Sequence, residues 1–275
     1  MTSSTLTGLL MAIAATYAAV CAALYVFQDR MLFLPGIPGR EITATPAALG
    51  LPFEEISLTA ADGVRLHGWW VPARDARLTL LHFHGNAGNI GHRLELLEVF
   101  HGAGLNVLLF DYRGYGRSDG VPREAGLYLD AEAAWNHLTQ ARGLSPASIV
   151  IHGQSMGGAV AAHLAARVPA AALVLESAFT SAPDVGADLY PWLPVRLLAR
   201  LKLDTRAELA RVKCRVLVVH SRDDEIIPFA HGEALHAAAH EPKHFVALAG
   251  DHNSGFWVSR ETYTRAWRDL LASLP

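Results

Sequence analysis

The chain has 275 residues, 51% of them hydrophobic, enough for one large domain with a substantial core. Its net charge is -3 with both signs interspersed, which leaves no basic stripe for nucleic acid and no acidic tail of the disordered kind. The two cysteines, Cys21 in an apolar run and Cys214 at the start of a predicted strand, make no disulfide framework.

The first element is apolar. Residues 1–27 hold no Asp, Glu, Lys or Arg, and Gln28-Asp29-Arg30 ends the run. A helix over 6–27 spans roughly the 30 Å of a bilayer hydrocarbon core. A cleaved signal peptide has a basic n-region and a shorter apolar core, and a buried or interfacial helix is the other reading. The expectation is a membrane anchor over 1–30, single-pass, with membrane lipid as its partner. Arg30 and Arg40 after the run place the following domain on the cytoplasmic side.

A Gly/Pro-rich link over 31–50 follows. Then 55–59 and 64–71 read as two strands joined at Ala61-Asp62-Gly63, a hairpin signal. Short apolar runs recur at 77–83, 106–110, 148–151, 172–175, 215–219 and 243–248. Helical spacing occupies 89–102, 124–141, 156–168, 230–240 and 255–273. Strands apolar on both faces, alternating with helices, predict an α/β fold: a mostly parallel central sheet covered on both faces. Residues 177–212 lack an obvious strand and read as a short cap insertion. The catalytic domain is expected over 51–275.

Chemistry collects at the carboxyl ends of such strands. There HGQSMGG (152–158) places Ser155 among glycines between a strand and a helix. Bulk at Gly153 or Gly157 would collide with neighbouring chain, and the helix N-terminus aims free N–H groups at the hydroxyl. The bland alternative is a Gly-rich turn with an incidental serine. A serine hydroxyl needs a base, usually a histidine oriented by a carboxylate, and for this turn the chain order is Ser, acid, His. His252 follows the final strand and is the expected base; His82, His84 and His152 also lie at strand ends and are its rivals. The acid should follow the penultimate strand, where Asp223, Asp224 and Glu225 compete. An oxyanion needs donors. The backbone N–H of Met156 is one, and Asn86 in the loop after His82-Phe83 is the choice for the second. His82 and His84 share a strand face, but no third histidine or acidic partner stands near at a ligand-like spacing, so no metal is expected.

The motifs HFHGNAGNIGHR (82–93), DYRGYGRSDG (111–120), GQSMGG (153–158), DDEIIP (223–228) and GDHN (250–253) together resemble the α/β-hydrolase superfamily over roughly 50–275. FQDRMLFLPG (27–36) is similar to the post-anchor segment of its membrane-anchored abhydrolase-domain subgroup. The resemblance implies a serine hydrolase without a cofactor; relatives are esterases, lysophospholipases, depalmitoylases or serine-aminopeptidase-like enzymes. It implies Asp224 as the acid, four residues before Pro228, and a loop-holding role for Asp111 and Arg113. The function expected is cleavage of acyl esters or thioesters, with Leu189, Tyr190, Trp192 and Leu193 offering apolar cap surface to a lipid-like substrate. A peptidase, with Asp184 or Asp188 meeting an amino terminus, and a non-catalytic binding module are the alternatives.

Overall fold

The computed structural model describes residues 3–274. Among them eight strands form one sheet, in the order β1-β2-β4-β3-β5-β6-β7-β8. β1 (Glu54–Thr59) and β2 (Arg65–Val71) form the expected hairpin, and β2 pairs antiparallel with β4 (Asn106–Phe110). From β4 through β3 (Thr79–Phe83), β5 (Ile149–Gln154), β6 (Ala172–Glu176), β7 (Arg215–Ser221) and β8 (Lys243–Leu248) every pairing is parallel.

The apolar runs are explained by the two faces of this sheet. Successive side chains on a strand point to opposite faces. Ile149, Ile151, Leu173, Leu175, Val216 and Val218 join one core cluster, with α3 (Glu124–Asn136) and α4 (Met156–Ala165). Val150, Ala172, Val174, Leu217 and Val219 join the other, with α2 (Leu94–Gly102) and the C-terminal helix. Burying one such side chain is worth about 1.5–3 kcal/mol, so both faces are needed to hold the domain.

Helix boundaries differ from the periodic pattern where local chemistry intervenes. The helix expected over 156–168 stops at Ala165, ahead of Pro169, which disfavours helical backbone at the residue before it. The stretch 255–273 splits into a four-residue turn of helix and a longer helix at Ser259, whose side chain accepts from Ala249 N (2.8 Å) and donates to Ala249 O (3.1 Å), tying the break to the end of β8. Between β6 and β7 the cap carries three short helices, α5 (Ala182–Leu189), α6 (Val195–Leu198) and α7 (Thr205–Leu209), and no strand. Downstream lie α8 (Phe229–Ala238), α9 (Gly255–Val258) and α10 (Arg260–Ala272).

At the other end, α1 (Ser3–Leu32) has no buried residue and is the one described helix long and apolar enough to cross a membrane, with mean hydropathy 2.1 over its best window. Residues 31–50, expected as a link, are bonded to the domain. Phe33 is buried in the core. Leu34 N donates to Asn86 Oδ1 (3.1 Å), Gly88 N to Ile37 O (2.7 Å), and Arg40 reaches Gly116 O (3.1 Å) and Ser118 O (2.7 Å).

Candidate active site

Ser155 stands between the end of β5 and the start of α4 with φ 53° and ψ −121°. A non-glycine residue in that region carries about 1–3 kcal/mol of strain. The surroundings over-determine it. Ser155 N donates to Glu176 O at the end of β6 (2.8 Å), and Gly158 N to Ser155 O (2.9 Å). A Cβ on Gly153 would sit 2.3 Å from Gly157 O, and one on Gly157 would sit 2.1 Å from Phe83 O. The two glycines therefore let β5, α4 and the end of β3 close together beneath the serine.

His252 lies in the loop after β8. Its Nε2 is 3.1 Å from Ser155 Oγ, and its Nδ1 is 2.7 Å from Asp224 Oδ2. The other oxygen, Asp224 Oδ1, accepts from Ile226 N (3.0 Å) and Ile227 N (2.7 Å). This local turn fixes the carboxylate and aims Oδ2 at the imidazole. Burial alone would raise the Asp224 pKa. Hydrogen bonds from His220 and His252, and the charge of His252, outweigh it and hold the carboxyl well below the usual carboxylate range.

The three neighbouring acids divide the loop between them. Asp223 Oδ2 accepts from Gly250 N (3.3 Å), and Glu225 Oε2 accepts from His252 N (3.0 Å). Both brace the backbone of the histidine loop, and only Asp224 faces the ring. Sequence reasoning missed His220. It is fully buried at the end of β7, with Nε2 2.9 Å from Ile227 O and 3.4 Å from Asp224 Oδ2. Its one signal was position, a histidine at a strand end four residues before the acid.

The rival histidines go elsewhere. His82 Nδ1 meets His152 Nδ1 at 2.7 Å, and His152 Nε2 meets Glu176 Oε2 at 3.1 Å. His84 Nδ1 donates to Gly85 O (2.7 Å), and burial holds its pKa down at about 3. Met156 is the first residue of α4, where a backbone N–H has no acceptor within the helix. The loop carrying Asn86 runs beside the serine: a Cβ on Gly85 would lie 3.5 Å from Ser155 Cβ. The Asn86 side chain is engaged by other segments. Its Oδ1 accepts from Tyr115 OH (2.8 Å) and Leu34 N, and its Nδ2 donates to Leu32 O. Asp111 Oδ1 accepts from Ile90 N (2.9 Å), and Arg113 binds both Asp130 and Asp62. In the cap, Asp184 is engaged by Thr180, Ser181, Arg196 and Arg206, and Asp188 by His231 (3.0 Å).

A mostly parallel sheet with a serine on this strand-to-helix turn defines an α/β-hydrolase. The chain belongs to that superfamily and is an enzyme of the serine-hydrolase type. Residues 74–205 match the family described as serine aminopeptidase, S33. An uncharacterized protein of Mycobacterium tuberculosis is 41% identical over 229 residues, covering 82% of this chain and 80% of that protein. The alpha/beta hydrolase domain-containing protein WAV2 of Arabidopsis thaliana is 36% identical over 261 residues, covering 86% and 85%. Among solved structures, an esterase of Pyrococcus furiosus superposes with TM-score 0.70 at 20% identity, covering 84% of this chain and 95% of that one, which is a likeness of fold.

Proposed function

We propose that the protein is a membrane-tethered serine hydrolase that cleaves acyl esters or thioesters through an acyl-enzyme. The observation that carries this reading is the unbroken line Ser155 Oγ, His252 ring, Asp224 carboxylate, with contacts of 3.1 Å and 2.7 Å. His252 Nε2 takes the Ser155 proton as Oγ attacks the acyl carbon. Asp224 fixes the tautomer through Nδ1–H and stabilises the imidazolium that forms. The oxyanion is received by the backbone N–H groups of Met156 and Asn86. His252 then protonates the departing alcohol or thiol, and a water activated by the same ring releases the acid. The tether is α1, whose apolar length suits a bilayer, with Arg30 in its last turn marking the cytoplasmic side.

An aminopeptidase would need an unengaged acid to meet the substrate's amino terminus. The candidates Asp184 and Asp188 are both held by neighbouring side chains, which favours the ester reading. A fluorophosphonate probe should label Ser155 in the full-length protein, and p-nitrophenyl acyl esters should turn over while aminoacyl arylamides do not. Absence of labelling would return the fold to a binding role, and the opposite substrate preference would make it a peptidase.

A further inference from the structure

The loop that follows β3 lies between the serine and the segment leaving α1. On one side, a Cβ on Gly85 would lie 3.5 Å from Ser155 Cβ. On the other, residues 32–41 meet the loop in a row of hydrogen bonds. Asn86 Nδ2 donates to Leu32 O, Leu34 N donates to Asn86 Oδ1 (3.1 Å), Gly88 N donates to Ile37 O (2.7 Å), and Asn89 Nδ2 donates to Glu41 O (3.0 Å). Leu32 is the last residue of α1, so its carbonyl is one of those that a helix end leaves without an intrahelical donor. The Asn86 carboxamide supplies that donor. A further bond reaches Asn86 from the domain, where Tyr115 OH donates to Oδ1 (2.8 Å). Burial pushes the Tyr115 phenol pKa up, which keeps the proton it donates. The segment is itself fixed: Phe33 is buried in the core, and Arg40 donates to Gly116 O (3.1 Å) and Ser118 O (2.7 Å).

A donor to an oxyanion contributes its factor of about 10²–10³ only when it is in place before charge develops. The loop backbone does not supply that rigidity alone. Gly85 and Gly88 flank the stretch, Gly88 at φ 79°, and glycine leaves the backbone its widest freedom. A side chain pinned at both ends of its amide restrains the backbone that carries it. We propose that the Asn86 carboxamide is a positioning group for the oxyanion hole, and that residues 32–40 are the fixed wall to which it is pinned. The inference rests on the reading above, in which the Asn86 backbone N–H receives the oxyanion. The segment between the apolar helix and the domain then serves turnover as well as attachment, orienting a donor without touching substrate.

The test uses full-length protein, a p-nitrophenyl acyl ester and an alkyl trifluoromethyl ketone. Ser155 Oγ adds to the ketone carbon, its proton passes to His252, and the hemiketal oxyanion occupies the hole that the reaction's own oxyanion fills. Three variants are compared with the wild type, each checked by circular dichroism to be folded at the assay temperature. Asn86→Ala keeps the backbone N–H and loses the bonds to Leu32 O, Leu34 N and Tyr115 OH. Its kcat should fall about 10²-fold with KM within about threefold, and the ketone's Ki should rise by the factor that kcat/KM falls. Tyr115→Phe removes one of those bonds and should cost up to about tenfold in both quantities; it carries the same test if Asn86→Ala does not fold. Arg40→Ala frees the far end of the wall and should lower kcat severalfold. An Asn86→Ala enzyme that keeps kcat and Ki overturns the positioning role. So does a raised KM at unchanged kcat, which means that the carboxamide binds substrate, or a lost kcat at unchanged Ki, which puts the loss outside the oxyanion hole. Unchanged kinetics in Arg40→Ala overturn the wall. A wild type that neither turns over the ester nor binds the ketone removes the acyl-ester reading, and this proposal with it.

Discussion

Two histidine–carboxylate–hydroxyl sets lie on either side of the β5–β6 strand ends. In one, Ser155, His252 and Asp224 line up at the loops beyond the sheet. In the other, Tyr263 OH donates to Glu176 Oε2 (2.6 Å), which also meets His152, which in turn meets His82. The residue types nearly match, but their surroundings do not. Ser155 and its loop partners come from turns, and the serine is only half-buried. The second set comes from strands β3, β5 and β6 and from helix α10, with His152 packed against Phe100 and Trp267. Burial and the neighbouring His152 push the His82 pKa far below its ordinary value, so that ring is neutral. One set has a strained, half-buried serine on a turn; the other is a buried polar network in which His82 Nε2 has no partner among the described residues. A hydroxyl near a histidine is thus poor grounds for catalysis until the backbone delivers it to substrate.

The comparison breaks most sharply at the serine. Ser155→Ala should lower kcat by about 10⁶-fold with an unchanged melting temperature, since loss of the single Oγ from a half-buried side chain opens no cavity. Ester turnover and thermal unfolding measured on the same preparation check this, and residual probe labelling would remove the nucleophile assignment. Asp224→Asn should cost on the order of 10⁴ in kcat, because the amide reverses the hydrogen bond that fixes the His252 tautomer. If Asp223→Asn is instead the crippled variant, the roles assigned in this loop are off by one residue.

Glu176→Ala sharpens the contrast from the other side. It strands the buried His152 and Tyr263 polar atoms, and should cost about 3 kcal/mol in urea unfolding while the folded fraction keeps kcat/KM within roughly tenfold. A loss of activity as deep as that of Asp224→Asn, with stability intact, would make the buried set part of the chemistry. The smallest effects belong to Asp223→Asn and Glu225→Gln. Each keeps the shape and an acceptor for the backbone N–H it braces, so kcat should fall by less than about tenfold.

Much of the sheet was legible because its cause is local. β4 and β8 begin and end where the apolar runs 106–110 and 243–248 do. Ser155 was legible because close packing at Gly153 and Gly157 leaves a signature within five residues. Position after the last strand singled out His252, and the structure brings that ring, rather than those of His82, His84 or His152, to the serine.

Sequence by itself determined the alternation of strands and helices, the tight serine turn and the apolar length of α1, because each follows from spacing that neighbours on the chain enforce. The family resemblance pointed to Asp224 by its spacing to Pro228, and the tertiary structure supplied the physical reason that this one of three adjacent acids faces His252. That choice depends on two N–H groups, from Ile226 and Ile227, turning one carboxylate while Gly250 and His252 claim the others. Only the tertiary structure decided that His220 lies behind Asp224 and that Trp192 lies beside Tyr17. Those contacts join different elements, in the last case across 175 positions, and no local periodicity encodes a meeting that only the packed sheet and cap bring about.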